Sequence, residues 1–171
     1  FQDKAVFPVM TYSEIQFIKA EAALRQGDKE MAYTAYKNGI NGHFDFINRN
    51  YSAIRGSSSL YKNTTISATT RNTYLTSPGV SQTADTLTLS DVMLQKYIAL
   101  WGWGFFETWV DLRRFNYTGL DNVTHTGEQV YTGFTLPTLD PDNAGLPVQR
   151  VRQHFTSEYT YNFKELERLG T

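Results

Sequence analysis

The chain has 171 residues, enough for one domain of ordinary size, and at 40% hydrophobic it can bury a real core. With 19% charged residues and a net charge of -1, it lacks the basic excess that a nucleic-acid partner requires. It contains no cysteine, so disulfides, thiol catalysis and Cys-containing zinc sites are excluded. No run reaches the roughly 18 apolar residues that a bilayer span needs. The aromatic content, 11 Tyr, 11 Phe and 3 Trp, argues against disorder.

Phe7-Pro8-Val9-Met10 is an apolar lead-in. Thr11 with Glu14 and Ser13 with Gln16 form two overlapping capping boxes, which predict a helix start. The helix is expected to run to Gln26, with Ile15, Ile18 and Ala22 on one face and Phe17, Ala20 and Leu24 beside it. Gly27 ends it and Asp28 caps the next. The second helix carries Met31, Ala32, Ala35, Tyr36, Ile40, Phe44 and Ile47 at helical spacing. Gly39 and Gly42 each weaken it by about 1 kcal/mol relative to Ala. Small residues at Ala20, Ala32 and Gly39 let two helices approach closely. Together these features predict an antiparallel hairpin of the tetratricopeptide type over residues 11–48.

Residues 48–64 read as a polar loop and 65–76 as a short helix. Ser77-Pro78-Gly79 signals a turn. Thr88 and Asp91 make a further capping box, opening a long helix over 90–116. Along it Leu94, Ile98, Trp101, Phe105, Trp109 and Leu112 form one apolar stripe, expected to pack in the core. Gly102 and Gly104 inside it predict a kink or a tight contact. From Asn116 to Pro147 the chain is rich in Thr, Gly, Asn, Asp and Pro. There Val130, Phe134 and Leu136 alternate with polar residues and permit a strand or hairpin. Tyr159, Tyr161, Phe163, Leu166 and Leu169 suggest a closing helical turn or two. The fold class expected is mainly α, with tetratricopeptide-like helical hairpins, long irregular loops and little β.

Three blocks carry a resemblance. The first is Phe7 to Asp28, the second Gln95-Lys-Tyr-Ile-Ala-Leu-Trp101 through Glu107-Thr-Trp109-Val-Asp111-Leu-Arg113-Arg114. The third is Pro147-Val-Gln-Arg150 with Ser157-Glu-Tyr159 and Asn162. In order and wording they resemble the SusD/RagB family, outer-membrane nutrient-binding lipoproteins of the Bacteroidetes. The resemblance implies that residues 1–171 are the C-terminal part of a single SusD/RagB-like domain, with a loop-rich segment over 117–171. Phe1 is not a start residue, so the lipid anchor is expected on a missing N-terminal part. The implied function is non-catalytic binding of a glycan or other nutrient at the cell outer membrane. Import through a SusC-like TonB-dependent transporter would follow. No cofactor and no catalysis are implied.

Candidate ligand contacts are aromatic side chains off the stripe or in loops: Trp103, Tyr51, Tyr61 and Tyr74. Flat rings stack on sugars, and loops on a rigid scaffold carry binding residues. Glu107 and Asp111, four apart, could in principle serve as acid and base of an α-helical glycoside hydrolase. With Arg113 and Arg114 so near, a structural ion-pair network is the expected role. A helical-repeat module that binds only protein is the other alternative. His43, His125 and His154 lack ligand spacing, and Asp140, Asp142 and Asn143 lack the EF-hand pattern, so no metal site is expected.

Overall fold

The structure is a computed structural model. It describes residues 8–51, 65–136, 138, 160–161 and 163–168. By contacts the chain divides into two compact units, residues 1–135 and 136–171. Among the described residues the first holds five helices: α1 (Tyr12–Gln26), α2 (Lys29–Tyr51), α3 (Ala68–Leu75), α4 (Leu89–Leu100) and α5 (Phe105–Arg114). The second holds α6 (Phe163–Arg168). The fold is mainly helical, and among the described residues the only β pairing is an isolated antiparallel bridge between Leu120 and Gln129.

The α1–α2 hairpin forms where its end signals place it. Thr11 caps α1, its hydroxyl accepting from the Glu14 amide at 3.2 Å. Gly27 takes a left-handed φ of 79°, and the Asp28 amide bonds back to the Ala23 carbonyl at 2.9 Å, closing a Schellman turn. The Asp28 carboxylate then accepts from the Met31 amide at 3.0 Å and opens α2. The two helices pack through Phe17, Ala20 and Leu24 against Ala32, Ala35, Tyr36 and Ile40, all buried. At Gly39 the approach is close enough that a Cβ would meet Phe17 Cε1 at 2.7 Å.

One expectation about α1 is corrected. Its buried side is Phe17, Ala20, Ala23 and Leu24, whereas Ile15, Ile18 and Ala22 face outward. The two sets lie on roughly opposite sides of the helix, and the packed one contains the small residues that let α2 approach.

The hairpin is closed by α4, which buries Leu89, Val92, Met93 and Ala99 against it. Val80 and Leu87 from the preceding connection join the same core. The turn signal at Ser77 is met by a bond from the Val80 amide to the Ser77 carbonyl at 3.1 Å. Tyrosine hydroxyls tie this connection down. Tyr36 accepts from the Ser81 amide at 3.3 Å, and Tyr33 donates to the Gln82 carbonyl at 2.6 Å.

After α5 the chain forms a compact loop built on one carboxylate. Asp121 is buried and accepts from the amides of Val123 and Thr124, both at 2.8 Å, and from the Thr124 hydroxyl. Thr124 Oγ1 in turn accepts from the Leu89 amide at 3.2 Å, fastening the loop to the start of α4. The alternation read at Val130, Phe134 and Leu136 gives no strand. Val130 and Tyr131 instead point into the core.

Candidate functional site

The long helix expected over 90–116 is two helices. The Thr88–Asp91 capping box is present in both directions, with the Asp91 carboxylate accepting from the Thr88 amide at 2.9 Å. But α4 stops at Leu100. Gly102 adopts a φ of 89°, and the Gly104 amide bonds to the Leu100 carbonyl at 2.8 Å. A Cβ on Gly104 would lie 2.5 Å from Leu100 Cδ2, so this tight reversal admits no side chain there.

The break redistributes the aromatic residues. Trp101 and Phe105, expected in the core, are 70% and 64% exposed, and Phe106 beside them is 61% exposed. The stripe already fails inside α4, where Ile98 is exposed while Leu89, Val92, Met93 and Ala99 on another face are buried, and the turn then changes the direction in which later residues point. Tyr97 and Trp101 meet edge to face at 6.3 Å, and the Phe105 and Phe106 rings lie 4.1 Å apart. On the next turn Arg113 covers the Trp109 ring at 4.8 Å. Tyr97, Trp101, Phe105 and Phe106 are thus exposed aromatic side chains.

Trp103 goes the other way. It folds back on α2, with its ring 4.9 Å from Phe46 and 6.0 Å from His43. His43 Nδ1 is buried with no hydrogen-bond partner among the described residues. Burial lowers the pKa of that imidazole. Tyr74 is half-buried, its hydroxyl donating to Gln95 Oε1 at 3.0 Å. Tyr61 lies outside the described residues, as does the side chain of Tyr51.

Under the surface lies a set of charges linking α1, α4 and α5. Lys96 Nζ reaches Asp111 Oδ2 at 2.7 Å, with both side chains almost fully buried. Asp111 Oδ1 accepts from Arg114 at 2.9 Å. Arg114 also takes both oxygens of Glu21, at 2.5 and 2.8 Å, in the two-pronged geometry that suits guanidinium and carboxylate. Arg25 closes the set on Glu21 at 2.9 Å. Burial pushes the Glu21 carboxyl up, but the hydrogen bonds from Arg114 and Arg25 outweigh it and hold the group below its ordinary range. Glu14, also buried, is shifted upward, chiefly by burial, with the Thr11 amide and Lys96 opposing.

Of the four charged residues singled out in sequence, the structure joins Asp111 and Arg114. Glu107 is exposed and makes no ion pair among the described residues, and Arg113 lies over Trp109. Two partners, Glu21 and Lys96, were missed. A signal existed: Glu21 sits within the Phe17–Ala20–Leu24 spacing and Lys96 within the Val92–Ala99 spacing. A charge at a core position points to internal pairing.

Asp111 is thus buried and held by two cations, Lys96 and Arg114. Among the described residues no group of three or more His, Asp or Glu could hold a metal. His154, Asp140, Asp142 and Asn143 lie outside them. A hollow of about 240 Å³ between the start of α1 and the second half of α2 is lined by Tyr12, Gly42, Asp45, Phe46 and Arg49 among others. It is smaller than the roughly 300–1,000 Å³ of a usual ligand pocket. No described helix is long and apolar enough to cross a membrane.

Comparison with known proteins agrees with this picture. No curated protein and no solved structure matches the chain. A family model, SusD-like, described as starch-binding and associating with the outer membrane, matches residues 2–137. The helical hairpin, α4 and α5 all lie within that span, and the chain belongs to the SusD-like family of starch-binding, outer-membrane-associated proteins.

Proposed function

We propose that this chain is part of a non-catalytic surface protein that captures a glycan or another small nutrient and passes it to a SusC-like TonB-dependent transporter. The observation that carries the reading is the family match over residues 2–137. Two features support it. The carboxylate best placed for acid–base work, Asp111, is consumed by Lys96 and Arg114. Open aromatic rings at Tyr97 and Trp101 offer the flat apolar faces on which sugars stack. Trp103, Tyr51, Tyr61 and Tyr74 remain candidate contacts in this reading. Membrane attachment in this reading is through a lipid anchor.

The test is affinity electrophoresis of the full-length protein in gels containing starch and a panel of other polysaccharides, with reducing-sugar release assayed in parallel. Retardation by at least one polysaccharide without sugar release is expected. Release that disappears in Asp111→Asn would establish a hydrolase instead. A second reading, a protein-interaction module, is favoured by one observation: Phe105, Phe106 and Val110 of α5 are exposed apolar side chains. No retardation in any gel, together with capture of the transporter through this face, would place it first.

A further inference from the structure

The helix α5 is arranged inside out. Its one buried residue is Asp111, while Phe105, Phe106 and Val110 face solvent. A surface helix ordinarily docks by burying an apolar stripe and exposing its charges. Here the inner contact is ionic. Asp111 binds Lys96 of α4 at 2.7 Å, and Arg114 reaches Glu21 of α1 through two bonds. Apolar support is confined to the far end, where Leu112 and Phe115 are half-buried against the core. At the near end α5 has no side-chain cap, and it joins α4 through Gly102 and Gly104.

These features have a common consequence. An element with little buried apolar area opens at lower free energy than the core it rests on. A buried ion pair is sensitive in a particular way, because removing one partner strands the other charge without water. The turn between α4 and α5 contains Gly102 at a φ of 89°, which glycine adopts without steric cost.

We propose that α5 is a latch, a helix that leaves and returns to the α1–α2–α4 body as a unit, with the buried Lys96–Asp111 pair fixing its docked position. The latch governs the aromatic surface. Phe105, Phe106 and Trp109 ride on α5, whereas Tyr97 stays on α4. Undocking therefore moves Phe105, Phe106 and Trp109 relative to Tyr97, and docking sets their placement. This holds whichever ligand the surface takes, so it does not depend on the function proposed above.

Hydrogen exchange of the full-length protein, followed by mass spectrometry, tests it. The amides of 105–114 are expected to exchange at least about tenfold faster than those in the middle of α1 and α2. Lys96→Met should accelerate α5 by a further tenfold or more, roughly, with α1 and α2 unchanged. Adding Asp111→Leu to that variant should slow α5 again, since the stranded carboxylate is gone. Should Lys96→Met fail to fold, Arg114→Gln, at a half-exposed position, is read the same way. Exchange of α5 in step with α1 in the wild type, or equal acceleration of all helices in the variants, would overturn the proposal.

Discussion

Gly39 lies directly beneath the ring of Phe17. A methyl group built on Gly39 would meet Phe17 Cε1 at 2.7 Å and Cζ at 2.8 Å, and Phe17 is itself fully buried, so it has nowhere to move. Helix propensity alone says that alanine in a helix interior gains about 1 kcal/mol over glycine. Overpacking a filled core costs more, about 1–3 kcal/mol. Gly39→Ala is therefore expected to lower stability by up to about 2 kcal/mol net in urea unfolding. Gly42→Ala should cost less, because the ring it meets, Tyr12, is exposed and can swing aside.

Two buried glutamates have opposite pH signatures. Glu14 is raised above 4.5 by burial, so its ionisation opposes folding, and stability falls as pH climbs from the unfolded value through the folded one. Glu21 is lowered by its arginine partners despite burial, so its contribution is present above 4.5 and lost as pH falls through its folded value. Glu14→Gln should raise the urea midpoint near neutral pH and leave it unchanged at about pH 3. Glu21→Gln should lower it near neutral pH and have little effect at about pH 3. Midpoints for both variants at the two pH values decide the signs.

The loop after α5 rests on Asp121. Replacing it by alanine leaves the buried amides of Val123 and Thr124 without an acceptor. Asp121→Ala should cost about 2–4 kcal/mol. Amide exchange should rise first between residues 119 and 132 and at the Leu89 amide, which depends on Thr124. Asp121→Asn, which keeps one acceptor oxygen, should recover about half of the loss.

Exposure and function separate at the end of α4. Trp101 is mostly in solvent, so Trp101→Ala should change stability by no more than about 0.5 kcal/mol. Leu89→Ala, in the core, should cost about 2–5 kcal/mol. If the aromatic surface binds the ligand, Trp101→Ala loses affinity at wild-type stability. Unfolding curves and affinity electrophoresis on the same samples test both halves.

The helical hairpin was legible because its signals are local. Thr11, Gly27 and Asp28 each act within a few residues of themselves, and all three make the bonds their types suggest. The α4 capping box was legible for the same reason. What failed was extrapolation along the helix. Leu94 to Leu112 keep a three-to-four-residue rhythm, but rhythm fixes a face only while the helix continues. Within α4 the core took the Leu89–Val92–Met93–Ala99 face instead, leaving Ile98 and Trp101 outward, and Gly102 and Gly104 then end the helix before Phe105. In α1 two apolar faces competed, and the choice between them depended on where the second helix came close. The Glu21 partner of Arg114 was beyond local reasoning, since it lies 93 residues away, whereas Asp111 is three residues off and was read from the sequence. Only the oddity of a charge at a core spacing pointed to it.

The Leu120–Gln129 bridge also bears on engineering. It clamps both ends of a short excursion whose outermost residues, His125 to Glu128, are all exposed, with Gly127 at a φ of 75°. Below the clamp, Asp121 and Thr124 hold the base. Chain added between Thr126 and Gly127 would extend away from the body without disturbing either anchor. That position is a natural port for an epitope tag or a fluorophore. On a chain with no cysteine of its own, a single thiol placed there would be labelled alone.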